Sequence, residues 1–478
     1  MFTRMSLVLV AVAATPAFAQ PAKQPAPKQP APKQQPAPPA PQADDMAAFE
    51  KEIDALFAGG GLTADQAATR AVTASPTVRR RTAEIEVAIA QAQAAELARV
   101  PQVGGKASYT RLSPIDPISL GPPGSPQIEF LENSYVLEGT VGLPLSDYLV
   151  RFPKLINAAR LGAEVARTSK RASEVSAGQD ARLAYYEWVR SQLQVLVARR
   201  QLTQVQTALT QFRALAEAQR VSRADLMRVE SQAAQAEQVL DQLQNLAGLR
   251  EEQLRLFIGA QSGEKLSVGE DIRKDLPGAG GGSAPLDQLA ATARSQRLEF
   301  KVLDTGIRAK ELQREAERAN LYPRLSAFAI ADYARPNQRV FPQVDEFKFT
   351  WQAGVQLTWT LNDALISNTA DRRYRAETNE LRADRENLER GTRIELLAAQ
   401  QAVALAQHAL ETSQKGLAAA EEGYRVRRAL LAAERATAVE LVDAETDLTR
   451  ARITALNARV DLRVALAQLA HALGNDAK

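Results

Sequence analysis

The chain has 478 residues, 45% of them hydrophobic and 24% charged, with two histidines and no cysteine. The missing thiols exclude disulfides, thiolate zinc sites, iron–sulfur clusters, cysteine nucleophiles and a lipid anchor on an amino-terminal cysteine. A formal net charge of +3, from 59 basic and 56 acidic residues, gives no reason to expect a nucleic-acid partner.

The first residues have the organisation of a secretory signal peptide. Arg4 precedes a short apolar run at 7–14, and an A-x-A motif follows at 17–19. Because the run is too short to span hydrocarbon as a helix, residues 1–19 are predicted to be a removed export signal. Residues 20–45 are rich in proline and poor in apolar side chains, which predicts an extended, disordered tether.

The remainder of the chain contains the same sequence pattern twice. Each copy begins with helical composition, continues through a segment with glycine, proline and aromatic residues, and ends in a long stretch of helical composition. At one constant offset, Leu226, Glu230 and Gly259 recur as Leu441, Glu445 and Gly474. These coincidences indicate a duplicated unit. We predict a first repeat over 46–265, a Gly-rich linker over 266–285 and a second repeat over 286–474.

Two stretches in each copy predict β-strands. Residues 347–361 alternate apolar and polar side chains throughout, which is the pattern of a strand with one apolar and one polar face. The length suits a tilted strand that crosses a bilayer. The other predicted strands are 103–111, 135–145 and 324–334, with hairpin loops at 113–131 and 335–346.

Aromatic residues concentrate around these strands, within 109–152 and 322–359. Such enrichment is typical of the aromatic girdles of outer-membrane strands. A soluble sheet with aromatic cross-strand pairs is the alternative that composition leaves open. Four strands cannot close a barrel around a pore, and lipid does not tolerate an open sheet edge. If the strands lie in a membrane, several chains must therefore complete one barrel.

Very long helices are predicted after the strands. The segment from Asp147 to Arg220 has no proline beyond Pro153 and could run as one helix of ~70 residues, or ~100 Å. The return segments that start near Leu226 and Leu441 carry apolar residues, many of them alanine, at spacings of three and four. This is the coiled-coil pattern, so each copy is predicted to form a long antiparallel helical hairpin.

The tips of the hairpins carry helix-start signals. Ser222 stands three residues before Asp225, and Thr437 stands three residues before Glu440. Both segments have the form of a capping box. The return helices are therefore predicted to start at Ser222 and Thr437.

Taken in order, these features resemble the TolC family of outer-membrane efflux proteins. The resemblance covers residues 62–474 and is carried by the segments 143–147, 359–363 and 439–444 and by Gly259 and Gly474. It implies a mainly α fold with a small β part. Long antiparallel α-helical hairpins would form an α-barrel, and four transmembrane β-strands per chain would contribute to a trimeric 12-stranded β-barrel.

The resemblance implies an exit duct with no chemistry of its own. It would be a homotrimeric channel in the lipid of the cell outer membrane, extending into the periplasm and exporting small molecules or proteins. Its implied partners are a periplasmic adaptor protein and an inner-membrane transporter, in a tripartite efflux or secretion system. No enzyme activity, cofactor, metal or nucleic acid is expected. The alternative is a soluble periplasmic coiled-coil adaptor or scaffold, which should have one hairpin and a lipoyl-like region.

In the family, acidic residues on the return helix of the second hairpin ring the periplasmic entrance. The matching positions are Glu440 and Asp443, whose i, i+3 spacing places both on one helix face. In a trimer six carboxylates would surround one axis, where repulsion and desolvation raise proton affinity and attract cations. The alternatives are a capping role for Glu440 and a solvated helix face for Asp443.

The hairpin tips are where members of the family meet the adaptor. Family tips commonly contain a glycine, whereas none lies in 213–225 or 424–440, and the second tip also looks longer than usual. The resemblance assigns the adaptor contact to Arg220, Val221, Ser222, Arg223, Asp225, Arg435, Ala436 and Thr437.

Overall fold

A computed structural model describes residues 51–57, 60–119, 121–122, 127–128, 131–261, 263–274, 284–433 and 435–477. The chain divides into two compact units, 1–43 and 44–478, and every described residue belongs to the second. The predicted export signal, the tether and the Gly/Ser run 278–283 lie outside the described residues.

Long helices and one antiparallel sheet make up the described chain. The helices are α1 (Ala64–Ala74), α2 (Pro76–Leu97), α3 (Arg151–Glu217), α4 (Arg223–Ile258), α5 (Leu286–Gln296), α6 (Leu298–Arg318), α7 (Leu361–Ala432) and α8 (Ala438–Leu473). The main strands are β1 (Gln102–Arg111), β2 (Asn133–Leu143), β3 (Arg324–Arg335) and β4 (Lys348–Thr358). Shorter elements are helices at 51–56 and Leu145–Leu149, 3₁₀ turns at Ala319–Leu321 and Asn475–Ala477, and a pairing of Ile118–Ser119 with Gln127–Ile128.

The predicted hairpins of long helices are confirmed. Helix α3 has 67 residues and packs against α4, and α7 has 72 residues and packs against α8. The first long helix begins at Arg151 rather than at the predicted Asp147, because a short helix ends before it at Leu149. Pro153 explains the break: it has no N–H for the carbonyl of Leu149, and its ring would clash with that carbonyl in a continuous helix.

The two repeats share one hydrophobic core. Tyr185 and Trp188 of α3 are buried together with Leu456 and Val460, which belong to α8 of the second repeat. Val268, from the span predicted as a linker, is also buried in this cluster. The helical part of the described chain is therefore held together by contacts between the repeats, not only within each hairpin.

The strands form one sheet in the order β1-β2-β3-β4, and every neighbouring pair is antiparallel. The central pairing joins the repeats, with Val141 opposite Ala329. Within the described chain, β1 and β4 are the edge strands and each has one unpaired side.

Two predicted strand ends were too long. Strand β2 stops at Leu143 because Pro144 has no N–H to donate to a neighbouring strand. Strand β4 stops at Thr358, since the carbonyl of Thr360 accepts hydrogen bonds from Asp363 and Ala364 at the start of α7. Apolar and polar residues thus still alternate at 359–361, although these residues are not part of the strand.

None of the described helices is sufficiently long and apolar to span a membrane.

Candidate functional site

On strand β4 the apolar side chains are exposed, and most of the residues that alternate with them are less exposed. In β4 the exposed fractions are 64% for Phe349, 67% for Trp351, 70% for Val355 and 69% for Leu357. Of the alternate residues, Lys348, Thr350 and Gln352 are only partly exposed, whereas Gln356 and Thr358 are exposed. We call the side with the four apolar residues the apolar sheet face and the side with Thr350 the polar sheet face. A sheet in a water-soluble protein has the reverse arrangement.

The neighbouring strands continue both faces in register. On β2, Tyr135, Leu137 and Val141 are exposed, and Glu138 and Thr140 are partly buried.

Aromatic rings form a band at the hairpin-loop end of the sheet. The centroids of Tyr109 and Tyr135 are 5.0 Å apart, and those of Tyr333 and Phe347 are also 5.0 Å apart. Tyr135 and Phe347 connect these pairs with centroids 6.3 Å apart. At the opposite end, Trp359 is exposed beside the start of α7. Rings at both ends of an apolar band are typical of strands that cross a membrane.

One register row of the polar sheet face is charged. Lys106, Glu138, Asp332 and Thr350 lie opposite one another on the four successive strands. Like charges directly opposite one another destabilise an antiparallel pair, so the Glu138–Asp332 juxtaposition gains nothing for the single chain. This charged row suits contact with water, not with lipid.

The two hairpin tips have connections of the same length and share one backbone hydrogen bond among the described residues. Helix α3 ends at Glu217 and α7 at Ala432, and each return helix starts after a connection of equal length, so the second tip is no longer than the first. The N–H of Arg220 donates to the carbonyl of Leu215 at 2.8 Å, and that of Arg435 donates to Leu430 at 2.8 Å. These are the bonds of a Schellman helix end.

A non-glycine residue makes the first turn. Gln219 has a φ of 56°, in the left-handed region that usually selects glycine. Its N–H donates to the carbonyl of Ala216 at 3.0 Å, which completes the Schellman pattern. The absence of glycine from the first tip is thus accommodated by strain at one residue and not by a different fold of the turn.

Ser222 and Thr437 are the N-caps of α4 and α8, as predicted. Ser222 Oγ accepts from the N–H of Asp225 at 3.1 Å, and Thr437 Oγ1 accepts from the N–H of Glu440 at 3.3 Å. The acidic side chains do not complete the capping boxes. The Asp225 carboxylate accepts from Ser222 Oγ at 2.6 Å, and Glu440 Oε2 accepts from Arg427 Nη1 at 2.6 Å.

The two predicted entrance residues share an exposed face of α8. Glu440 and Asp443 are both exposed, whereas Val442 between them is 3% exposed. Sequence reasoning missed Arg427, which lies on α7 across the hairpin from Glu440. The two residues lie at unequal distances from the centre of the turn, so counting along the sequence does not pair them.

A buried polar layer follows Glu440 and Asp443 along α8. Glu445, Thr449 and Arg452 are all buried. Burial lowers the pKa of Arg452, Arg200 on α3 lowers it further, and Glu421 on α7 raises it. Polar groups therefore join α8 to both long helices at this level.

Among the described residues, no group of three or more histidine, cysteine, aspartate or glutamate side chains is arranged to hold a metal ion.

Solved structures share this arrangement. The CmeC outer membrane channel of Campylobacter jejuni is 11% identical, with a TM-score of 0.69 over 88% of this chain and 92% of that chain. The open state of the MtrE outer membrane channel of Neisseria gonorrhoeae is 16% identical, with a TM-score of 0.69 over 86% and 88%. The outer membrane protein VceC of Vibrio cholerae is 15% identical, with a TM-score of 0.67 over 91% and 99%.

The sequence matches no family model, and no curated protein resembles it at the level of sequence. At identities of 11–16% the likeness to the solved structures concerns the fold. The chain has the fold of the TolC-family outer-membrane channels, and the resemblance inferred from its sequence is confirmed at that level.

Proposed function

We propose that the protein is a trimeric channel of the cell outer membrane, an exit duct with no enzyme activity. The observation that carries the proposal is the exposed apolar sheet face, which has lipid as its natural solvent, while the polar sheet face would line a water-filled lumen. The strands have 10 to 12 residues, close to the length needed to cross a bilayer at a tilt.

The free edges of the sheet require other copies. An unpaired strand edge in hydrocarbon leaves backbone N–H and C=O groups without partners, each at a cost of several kcal/mol. When β4 of one copy lies beside β1 of the next, the antiparallel alternation continues. Three copies then give a closed barrel with twelve strands, and their long hairpins continue as an α-helical barrel in the periplasm.

The channel would work with other proteins. We propose that it receives small molecules or proteins from the periplasm or from an inner-membrane transporter, through a periplasmic adaptor that contacts the hairpin tips. The tip residues proposed for this contact are Arg220, Val221, Ser222, Arg223, Asp225, Arg435, Ala436 and Thr437. The alternative function, a soluble coiled-coil adaptor or scaffold, does not explain an exposed apolar sheet face.

Fractionation and conductance test the channel itself. We expect heat-modifiable trimers in outer-membrane fractions and stepwise conductance when the purified trimers are added to planar bilayers. Recovery of the protein wholly in the soluble periplasm would overturn the proposal.

We further propose that Glu440 and Asp443 form the periplasmic entrance. Their exposure on one face of α8, directly after the tip, supports this role. Glu440→Ala with Asp443→Ala should weaken cation selectivity and block by divalent cations in planar bilayers, because six carboxylates leave the entrance. Glu237→Ala with Asp241→Ala is the matched control, since these two exposed acids share one face of α4 in the other hairpin. Unchanged selectivity and block in the Glu440→Ala, Asp443→Ala variant would remove the assignment.

A further inference from the structure

The register of the sheet shows which backbone groups lie on the free edge of β4. Ser326 Oγ on β3 donates to the carbonyl of Gln356 at 3.5 Å, and these two residues lie directly opposite each other. The Gln356 carbonyl therefore points toward β3. Because the carbonyls of successive residues in a strand point to opposite sides, those of the odd-numbered residues of β4, Trp351 among them, point to the free edge.

The loop between β3 and β4 places an arginine on that edge. Arg339 Nη1 donates to the carbonyl of Trp351 at 2.7 Å, and Nη2 donates to Gln352 Oε1 at 3.1 Å. Arg339 is exposed and makes no ion pair with any residue that the structure describes. The carboxylate of Asp345, in the same loop, instead binds Arg335. The guanidinium of Arg339 thus contacts a strand edge and not an acid.

A buried amide fixes the position of Arg339. Asn337 is 3% exposed, and its Nδ2 donates to the carbonyl of Lys348 at 2.9 Å and to Thr350 Oγ1 at 3.1 Å. Its Oδ1 accepts from the N–H of Arg339 at 3.0 Å. The backbone of Arg339 is therefore tied to β4, so the loop directs the guanidinium to the edge.

The free edge of β1 has the matching phase. Thr140 Oγ1 on β2 donates to the carbonyl of Gly104, directly opposite, at 3.5 Å. The odd-numbered residues of β1 therefore present their backbone groups to its free edge. When β4 of one copy pairs with β1 of the next, odd-numbered residues face odd-numbered residues, and both sheet faces continue across the junction. This pairing uses the same row of carbonyls that Arg339 binds.

We propose that Arg339 protects the free edge of β4 until the next copy pairs with it. In the single chain the guanidinium binds the Trp351 carbonyl and blocks the approach of other strands. In the assembled ring a backbone N–H of β1 binds this carbonyl, and Arg339 leaves it. The proposal rests on the proposed function and concerns how the trimer is reached. Charged side chains on edge strands prevent pairing with the wrong chain.

Refolding of the urea-unfolded full-length chain into detergent micelles tests the proposal. Arg339→Ala should increase the aggregated fraction at least about threefold over that of the wild type at equal concentration, because the edge is open before copies meet. The trimers that form should conduct like the wild type, since Arg339 has left the edge in them. Arg335→Ala is the matched control, because Arg335 borders the same loop and binds Asp345, not a strand edge.

Arg339→Lys separates hydrogen bonding from charge. Lysine keeps the charge but lacks the planar fork that reaches both the Trp351 carbonyl and Gln352. This variant should aggregate more than the wild type and less than Arg339→Ala. Aggregation of Arg339→Ala at the level of the wild type or of the control, or complete rescue by lysine, would overturn the proposal.

Release of the arginine gives a second measurement. The chain has no cysteine, so Gln338→Cys provides a single site for a spin label on the exposed residue beside Arg339. The label should be more mobile in the trimer than in the monomeric fraction separated by size exclusion. Equal mobility in conducting trimers and monomers would overturn this proposal alone. Absence of conducting trimers of the wild type would overturn the proposed function, and this proposal with it.

Discussion

The sheet and the helical body of this chain place the same residue type in opposite surroundings. Trp188 of α3 is 2% exposed in a core that α3, α4 and α8 share, whereas Trp351 of β4 is 67% exposed on the apolar sheet face. The helical body buries apolar surface against itself, as domains in water do. The sheet is a single layer with nothing against its apolar face in the described chain. The comparison teaches that the two regions are built for different solvents.

The largest expected effect tests the helical side of this comparison. Trp188→Ala removes a buried indole and should lower the free energy of unfolding of the helical body by about 3–5 kcal/mol. The measurement is urea denaturation of the detergent-solubilised protein, followed by circular dichroism of the helices. Trp351→Ala is the matched variant and should change the same quantity by less than about 0.5 kcal/mol. Equal losses in the two variants would contradict the comparison.

The next effect tests the sheet side. Val355→Arg places a charge on the apolar sheet face, and for lipid-facing positions near the midplane this costs about 2–4 kcal/mol. We expect a severe loss of heat-modifiable trimers from outer-membrane fractions. Gln356→Arg, on the next residue and the polar sheet face, should leave the trimer yield near that of the wild type. If both variants insert equally well, the apolar sheet face does not contact lipid.

A smaller effect concerns how the second repeat ends. Gly474 follows α8 with a φ of 76°, and a Cβ there would lie 2.9 Å from the backbone nitrogen of Arg297. Gly474→Ala should therefore destabilise the helical body by about 1–2 kcal/mol. Gly423→Ala, inside α7 with open space around the position, should instead stabilise it by up to about 1 kcal/mol. Thermal melts of the two variants in one detergent would show shifts of opposite sign.

The smallest effect depends on pH. A hydrogen bond with Asp476, 2.7 Å from Nδ1, raises the pKa of His471, although burial and Arg297 lower it and Glu395 adds to the rise. Since the folded pKa lies above the unfolded value near 6.5, the pair stabilises fully below that pH and loses its contribution as pH rises through the folded pKa.

Asp476→Asn isolates this contribution. The variant should be less stable than the wild type at pH 5, by a few tenths to about 1 kcal/mol, and the difference should narrow by pH 9. Melting temperatures across that range provide the measurement, with Asp447→Asn, an exposed position elsewhere on α8, as a control that should leave the pH profile of stability unchanged. Parallel profiles for Asp476→Asn and the wild type would contradict the assignment.

The features that sequence predicted well depend on near neighbours. Ser222 and Thr437 cap their helices through groups three residues away, and Gly259 and Gly474 end the repeats in the left-handed conformation, with φ of 64° and 76°. The alternation of apolar and polar residues in β4 similarly reflects a strand whose two faces meet different environments. In each case the deciding interaction lies within a few residues or with the solvent, so periodicity and caps were sufficient.

The features that sequence did not predict depend on distant partners. Arg463 is buried in α8, where it binds Glu270 and the carbonyl of Lys274 from the segment after the first repeat. The spacing of these residues in the sequence does not predict the contact. Gln219 likewise adopts a conformation that its residue type disfavours, because the rest of the turn fixes it. The hydrogen bond from Arg427 to Glu440 joins two helices, so it exists only in the folded hairpin.

The unpaired edges of β1 and β4 have a genetic consequence. In the proposed ring each subunit uses both edges, with a different neighbour at each. A subunit that keeps its edges but carries damaged tips would enter mixed rings, and at equal expression only roughly one ring in eight would be free of it. Such an allele should be dominant. An allele that destroys both edges should be recessive, because its product cannot join a ring at all.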